Sequence, residues 1–307
     1  MDAAAECNDL ASLAKFLDFA PQHLYSLLKD PRHYYYRFEI PKRDGSSRQI
    51  FCPKAALRGV QRAILDKLLT RYEVHTAAHA YVKGRSALTC AREIAGSEYM
   101  LRLDIKNFFP SISDRRVYGL FRSLGFRKKA AFILTRLTTF RKHAVQGAPT
   151  SPYISNLIFH RLDEQLTQAC ADWGIRYIRY SDDLFFVSNS SVGWNRFKTM
   201  VARIVADHGF KLNTSKSKAF RSGGQKFALG FRLDTPIPTL TRRTRHKYRA
   251  LFHKAAMNPV WGKSKIATLE GVAAWYRSVA GVDETYRDYQ SVLGSLQKIK
   301  AHEPFSI

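Results

Sequence analysis

The chain has 307 residues, enough for two or three subdomains around a sizeable core, because the buried fraction rises with chain size. Its four cysteines, Cys7, Cys52, Cys90 and Cys170, form no C-x-x-C pair, which argues against a zinc ribbon or a disulfide framework and for a reducing, cytoplasmic setting. Lys+Arg 50 against Asp+Glu 25 leaves a net charge of +25, a self-repulsion that points to a polyanionic partner, nucleic acid before acidic lipid or protein; with no basic-then-apolar leader and no long apolar run, neither export nor a membrane-spanning role is expected.

From Leu10 to Leu28 apolar residues recur at helical spacing, broken at Pro21, which predicts a short helical N-terminal extension. In IPKRDGSSRQIFCP two strand-like runs flank the turn formers Asp44, Gly45 and Ser46, predicting a hairpin that carries Lys42, Arg43 and Arg48. Leu57, Val60, Gln61, Ile64, Leu65 and Leu68 make the stripe of an amphipathic helix over 55–69. Tyr99 to Ile105 alternates. Leu101, Leu103 and Ile105 share one face of a strand, while Arg102 and Asp104 share the other, an exposed face available for chemistry. Ser151 and Pro152 read as the N-cap and first residue of a helix that buries Ile154, Leu157, Ile158, Leu162 and Leu166. Ile175–Tyr180 and Leu184–Ser188 are β-rich and bracket Ser181-Asp182-Asp183, so the paired acids should sit at a hairpin tip. Beyond Pro236 the pattern is helical and still basic, with RRTRHKYR followed by Trp261, Trp275 and Tyr276; these aromatics either stack on bases or pack between helices, packing being the commoner role, and they are left unassigned.

Three aspartates on short, stiff side chains are what a two-cation nucleotidyl-transfer site requires, since Mg²⁺ takes oxygen ligands and keeps some waters. Asp104 and Asp182 are expected to be the firmer ligands and Asp183 the third, because adjacent strand residues point to opposite faces; the Ile105 carbonyl is a further backbone ligand. Taken alone, Tyr180-x-Asp182-Asp183 is a weak motif, and its setting decides.

With LRLDIKNFFPSI, QGAPTSPYISNLIF, YSDDL, GFKLNTSKSK and ALGF in this order, the chain resembles the retron-type group of bacterial reverse transcriptases, from about Ile40 to Leu233. The resemblance implies an α+β right-hand polymerase fold of fingers, palm with an antiparallel sheet, and helical thumb. It places a helical extension at 1–38, fingers at 39–98 with 115–145, palm at 99–114 and 146–233, and a basic thumb at 234–307. It implies two Mg²⁺ ions, deoxynucleoside triphosphates, an RNA template and nascent DNA. By matching position it makes Phe109 an aromatic gate against the ribose 2′-hydroxyl, and Gln146, Gly147 and Tyr180 contacts to the incoming nucleotide and template pair. Lys42, Arg43 and Arg48 become triphosphate grips and Lys216 the proton donor to the leaving pyrophosphate, with Lys83 and Arg85 near the template. Two family segments differ: Cys90, Ala91 and Ile94 stand where retron enzymes carry Asn-Ala-x-x-His, and Ala228-Leu229-Gly230 where they carry Val-Thr-Gly. Defence-associated bacterial reverse transcriptases fit equally. The expected function is RNA-templated DNA synthesis with a dedicated non-coding RNA and an effector protein in antiphage defence. The alternatives are a palm-type RNA polymerase or primase, which Phe109 disfavours, and a non-catalytic RNA-binding scaffold.

Overall fold

A computed structural model of the chain describes residues 3–41, 45 and 47–298. The chain divides into two compact units, one running to Cys90 and resuming over Tyr99–Ala219, the other made of Ala91–Glu98 and the chain from Phe220 onward. Helices mixed with small sheets give the expected α+β content.

The first unit opens with helices α1 (Ala3–Glu6), α2 (Leu10–Leu17) and α3 (Pro21–Lys29). Asp9 caps α2, accepting from the Ser12 N–H while the Ser12 hydroxyl accepts from the Asp9 N–H, and Pro21 starts α3 where its missing N–H costs nothing. The hairpin follows as β1 (Tyr35–Pro41) and β2 (Ser47–Pro53), paired antiparallel with Ile40 opposite Arg48; Lys42 and Arg43 lie outside the described residues. Helix α4 (Ala55–Lys67) buries Leu57, Val60 and Ile64 as its stripe predicts, and buried Gln61 donates to the Tyr35 hydroxyl and the Leu137 carbonyl. Then come α5 (Ala87–Ile94), whose second half belongs to the other unit, β3 (Tyr99–Asp104), α6 (Phe108–Ser111), α7 (Asp114–Ser123), α8 (Lys128–Thr138), α9 (Ser151–Ala171), β4 (Arg176–Tyr180), β5 (Asp183–Ser188), α10 (Trp194–Asp207) and β6 (Lys218–Phe220), which ends at the division.

Four strands form one sheet in the order β4-β5-β3-β6, so the hairpin with the paired acids lies directly against the strand ending at Asp104. The long helix α9 packs behind it, its buried residues including Ile154, Leu157, Leu162 and Leu166. Its start departs from expectation. The N-cap is Thr150, and Ser151 is the first helical residue; the Ser151 hydroxyl accepts from the Val145 N–H and ties the preceding loop to the helix.

The second unit holds a three-stranded sheet, β7 (Phe227–Ala228), β8 (Phe231–Arg232) and β9 (Thr239–Leu240), and helices α11 (Arg242–Met257), α12 (Pro259–Ser264), α13 (Ile266–Ala280) and α14 (Glu284–Lys298). Tyr276 is buried, edge-on to Tyr289, which stacks on Phe252 at 3.9 Å, while Trp275 lies against Phe231. These aromatics serve packing. Among the described residues no helix is long and apolar enough to cross a membrane.

Candidate active site

Antiparallel pairing sets Asp104 directly across from Asp183, and cross-strand partners project to the same face of a sheet. The Ile105 N–H donates to the Asp182 carbonyl at 2.9 Å, locking the hairpin tip against the end of β3. The strand face expected to be exposed is covered: Asp104 is only 3% exposed. Lys216 donates Nζ to Asp104 Oδ2 at 2.9 Å. Lys216 itself stays half exposed and sits in a short turn held to β3 by the Asn213 N–H donating to the Asp104 carbonyl.

Asp183 makes a bidentate pair with Arg102, both donors at 2.9 Å. Arg102 lies two residues before Asp104 on the same strand face, so the alternation already brought it to the site without revealing its partner. Burial lifts Asp183 to about 6, and the neighbouring charges of Asp182 and Asp104 add to this against the opposing pull of Arg102. Asp182 is also raised above the ordinary carboxylate range, first by burial and then by Asp104, while Lys216 and Arg48 oppose the shift. The three carboxylates therefore sense one another, and Arg48 on β2 reaches the same field. Among the described residues no group of three His, Cys, Asp or Glu side chains closes on one metal position; Asp104 and Asp183 are each paired with a cation.

The tip itself is held from behind by residues that the motif reading passed over. Arg179, wholly buried, forms a bidentate pair with wholly buried Asp163 and also donates to Asn156 Oδ1 at 3.1 Å and to the Ser181 carbonyl at 3.3 Å. Tyr177 donates its hydroxyl to the same aspartate. Ser181 takes a left-handed φ of +59°, and its side chain meets the Tyr81 hydroxyl at 3.1 Å. Both ends of Ser181 are thus tethered, which fixes the turn that presents Asp182. The available signal was Arg179 set between Ile178 and Tyr180 in β4, because such a charge is retained in a core only when paired.

Gly147 has a φ of +111°, and an added Cβ would lie 2.8 Å from the Phe51 carbonyl. The Phe51 N–H donates to the Gln146 carbonyl, so the Gln146–Gly147 segment is pressed against the β1–β2 hairpin. The close approach that glycine permits here is to the protein's own strand. Phe109 is half-buried in α6, edge-on to buried Phe108 at 5.2 Å. Tyr180, half-buried, faces Asp183 across the hairpin. The Arg85 guanidinium donates to the carbonyls of His75, Thr76 and Ala78 and clamps the loop beside β4, while Lys83 is exposed.

Residues 40–251 match the family model described as reverse transcriptase (RNA-dependent DNA polymerase). The chain is 35% identical over 73% of its length to Retron Mx65 reverse transcriptase of Myxococcus xanthus, covering 56% of that protein. It is 32% identical over 88% of its length to Retron Mx162 reverse transcriptase of the same organism, covering 64% of it. With Retron Ec86 reverse transcriptase of Escherichia coli the identity is 25%, over 97% of this chain and 92% of that one. The chain thus spans less than two thirds of the length of the two Myxococcus relatives. Among solved structures, apo telomerase from Candida tropicalis superposes with a TM-score of 0.50 at 11% identity, over 85% of this chain and 61% of that one, a likeness of fold alone.

Proposed function

The chain belongs to the reverse transcriptase (RNA-dependent DNA polymerase) family, and from that premise we propose that it synthesises DNA on an RNA template by nucleotidyl transfer at Asp104, Asp182 and Asp183. The observation that carries the reading is the register that sets Asp104 opposite Asp183 with Asp182 at the adjoining tip, two of the three carboxylates being raised in pKa by burial and by one another. Buried negative charge gathered from distant parts of the chain is costly unless a cation answers it.

The donors are all oxygen, which suits Mg²⁺ rather than a softer metal. Asp104, Asp182 and the Ile105 carbonyl would hold two ions, with Asp183 in support through its pair with Arg102. When bound, the ions lower the pKa of the primer 3′-hydroxyl and neutralise charge on the triphosphate. Lys216, half exposed and in reach of Asp104, would serve as proton donor to the leaving pyrophosphate. Arg48, with Lys42 and Arg43, would grip the triphosphate, and Phe109 would crowd a ribose 2′-hydroxyl. Gln146, Gly147 and Tyr180 would border the nucleotide. The setting that accords with the retron relatives is a cognate non-coding RNA as template, in antiphage defence beside an effector protein.

The test is a DNA primer annealed to RNA, incubated with deoxynucleoside triphosphates and Mg²⁺. The product expected is alkali-resistant DNA complementary to the template, abolished by chelator; no extension of any primed RNA would defeat the proposal.

A further inference from the structure

Away from the aspartates, α3, α7, α8 and the turn after α8 enclose a cleft of about 600 Å³. Lys29, Arg32, Arg115, Arg136, Arg141 and Lys142 line it, against only Asp30 and Asp114. Both acids are engaged by backbone: Asp30 accepts from the Arg32 N–H and Asp114 from the Arg115 N–H. Among the described residues none of the six cations forms an ion pair with a carboxylate. Phe132, 59% exposed, and Tyr118 line the same cleft.

The turn supplies an independent sign. Phe140 and His143 exchange backbone hydrogen bonds around Arg141 and Lys142, whose φ angles are +49° and +66°. Such a two-residue turn prefers Asn-Gly, because bulky side chains are strained in the left-handed region. Two long cations there accept that strain, and strain held at a charged cleft points to use. Arg141 is further fixed with its guanidinium over the Phe51 ring at 5.0 Å, and Phe51 is the residue bonded to Gln146.

We propose that this cleft is a second nucleic-acid site, which takes a single strand by its phosphates, with unstacked bases on Phe132 and Tyr118, beside β2, the strand whose Phe51 bonds Gln146. Phosphate-spaced cations with aromatic platforms are the chemistry of single-strand grooves. The proposal shares with the polymerase reading only the expectation of a nucleic-acid partner, and its test needs neither nucleotide nor metal.

The experiment measures binding of the full chain to oligouridylate and oligothymidylate of equal length across a salt series. Arg141→Gly/Lys142→Gly relieves the positive φ values, so the fold should hold while affinity falls about tenfold and the salt slope drops by about 1.4, at about 0.7 per phosphate on a single strand. Arg115→Glu/Arg136→Glu, on exposed helix positions, should weaken binding further than Lys128→Glu/Lys129→Glu, which makes the same charge change on α8 outside the cleft. Loss on uridylate alone assigns the strand as RNA, on thymidylate alone as DNA, and on both as either. Unchanged affinity, or equal loss in the α8 control, would overturn the site. Template-dependent extension by the wild type is read separately, so either proposal can fail without the other.

Discussion

Asp104, Asp182 and Asp183 are legible from sequence because each stands in a run whose alternation or turn chemistry places it, yet their neighbours were not. Arg102 and Arg179 lie in apolar strands, and nothing in strand periodicity says which acid a buried guanidinium meets. That partner depends on α9, which brings Asp163 behind the hairpin from a different part of the chain. Removing one member of such a pair leaves the other buried and uncompensated. Asp163→Asn should therefore cost about 3–5 kcal/mol, read by denaturant unfolding, and a loss below about 1 kcal/mol would show that Arg179 finds another partner. Phe109 carries a different claim. Phe109→Ala opens space without touching a carboxylate, and the ratio of ribonucleotide to deoxynucleotide incorporation should rise at least about tenfold, the range that steric selection supplies. An unchanged ratio would remove the gate from Phe109.

At the scale of elements, the β1–β2 hairpin, the Gln146–Gly147 segment and the start of α9 form one joint. The sequence places the hairpin and the helix, with Ser151 as a cap and Gly147 as a contact to the nucleotide and template pair. Ser151 instead accepts from the Val145 N–H through its hydroxyl, and Gly147 also gives room to the Phe51 carbonyl from a distant strand; neither contact is encoded by local propensity. Gly147→Ala combines a positive φ with a 2.8 Å clash against backbone, which has no flexible end to move aside. It should lose about 1–3 kcal/mol in thermal or denaturant unfolding, and weaken nucleotide use with it. Wild-type stability in that variant would mean that the hairpin is free to shift.

Over the whole molecule, charge is the term that composition reveals most directly and that the fold distributes least visibly. The net charge of +25 predicts nucleic-acid affinity that falls steeply with salt, whereas specific pairs such as Arg232–Asp234 emerge only from structure. The Arg232 guanidinium holds Asp234 down from 3.8 to about 2. A lowered folded pKa gives stability that is present above 3.8 and lost as pH falls toward 2. Asp234→Asn should accordingly flatten the melting temperature's dependence on pH in that window, and an unchanged slope would assign acid sensitivity elsewhere. The central claim rests on the carboxylate cluster acting on a primer end. Its most direct measurement is Mg²⁺-dependent primer extension by Asp182→Asn beside binding of the same primed RNA. The account predicts that extension falls at least about a thousandfold, as for loss of a group needed only in the transition state, with affinity nearly unchanged. Equal extension in variant and wild type would contradict it.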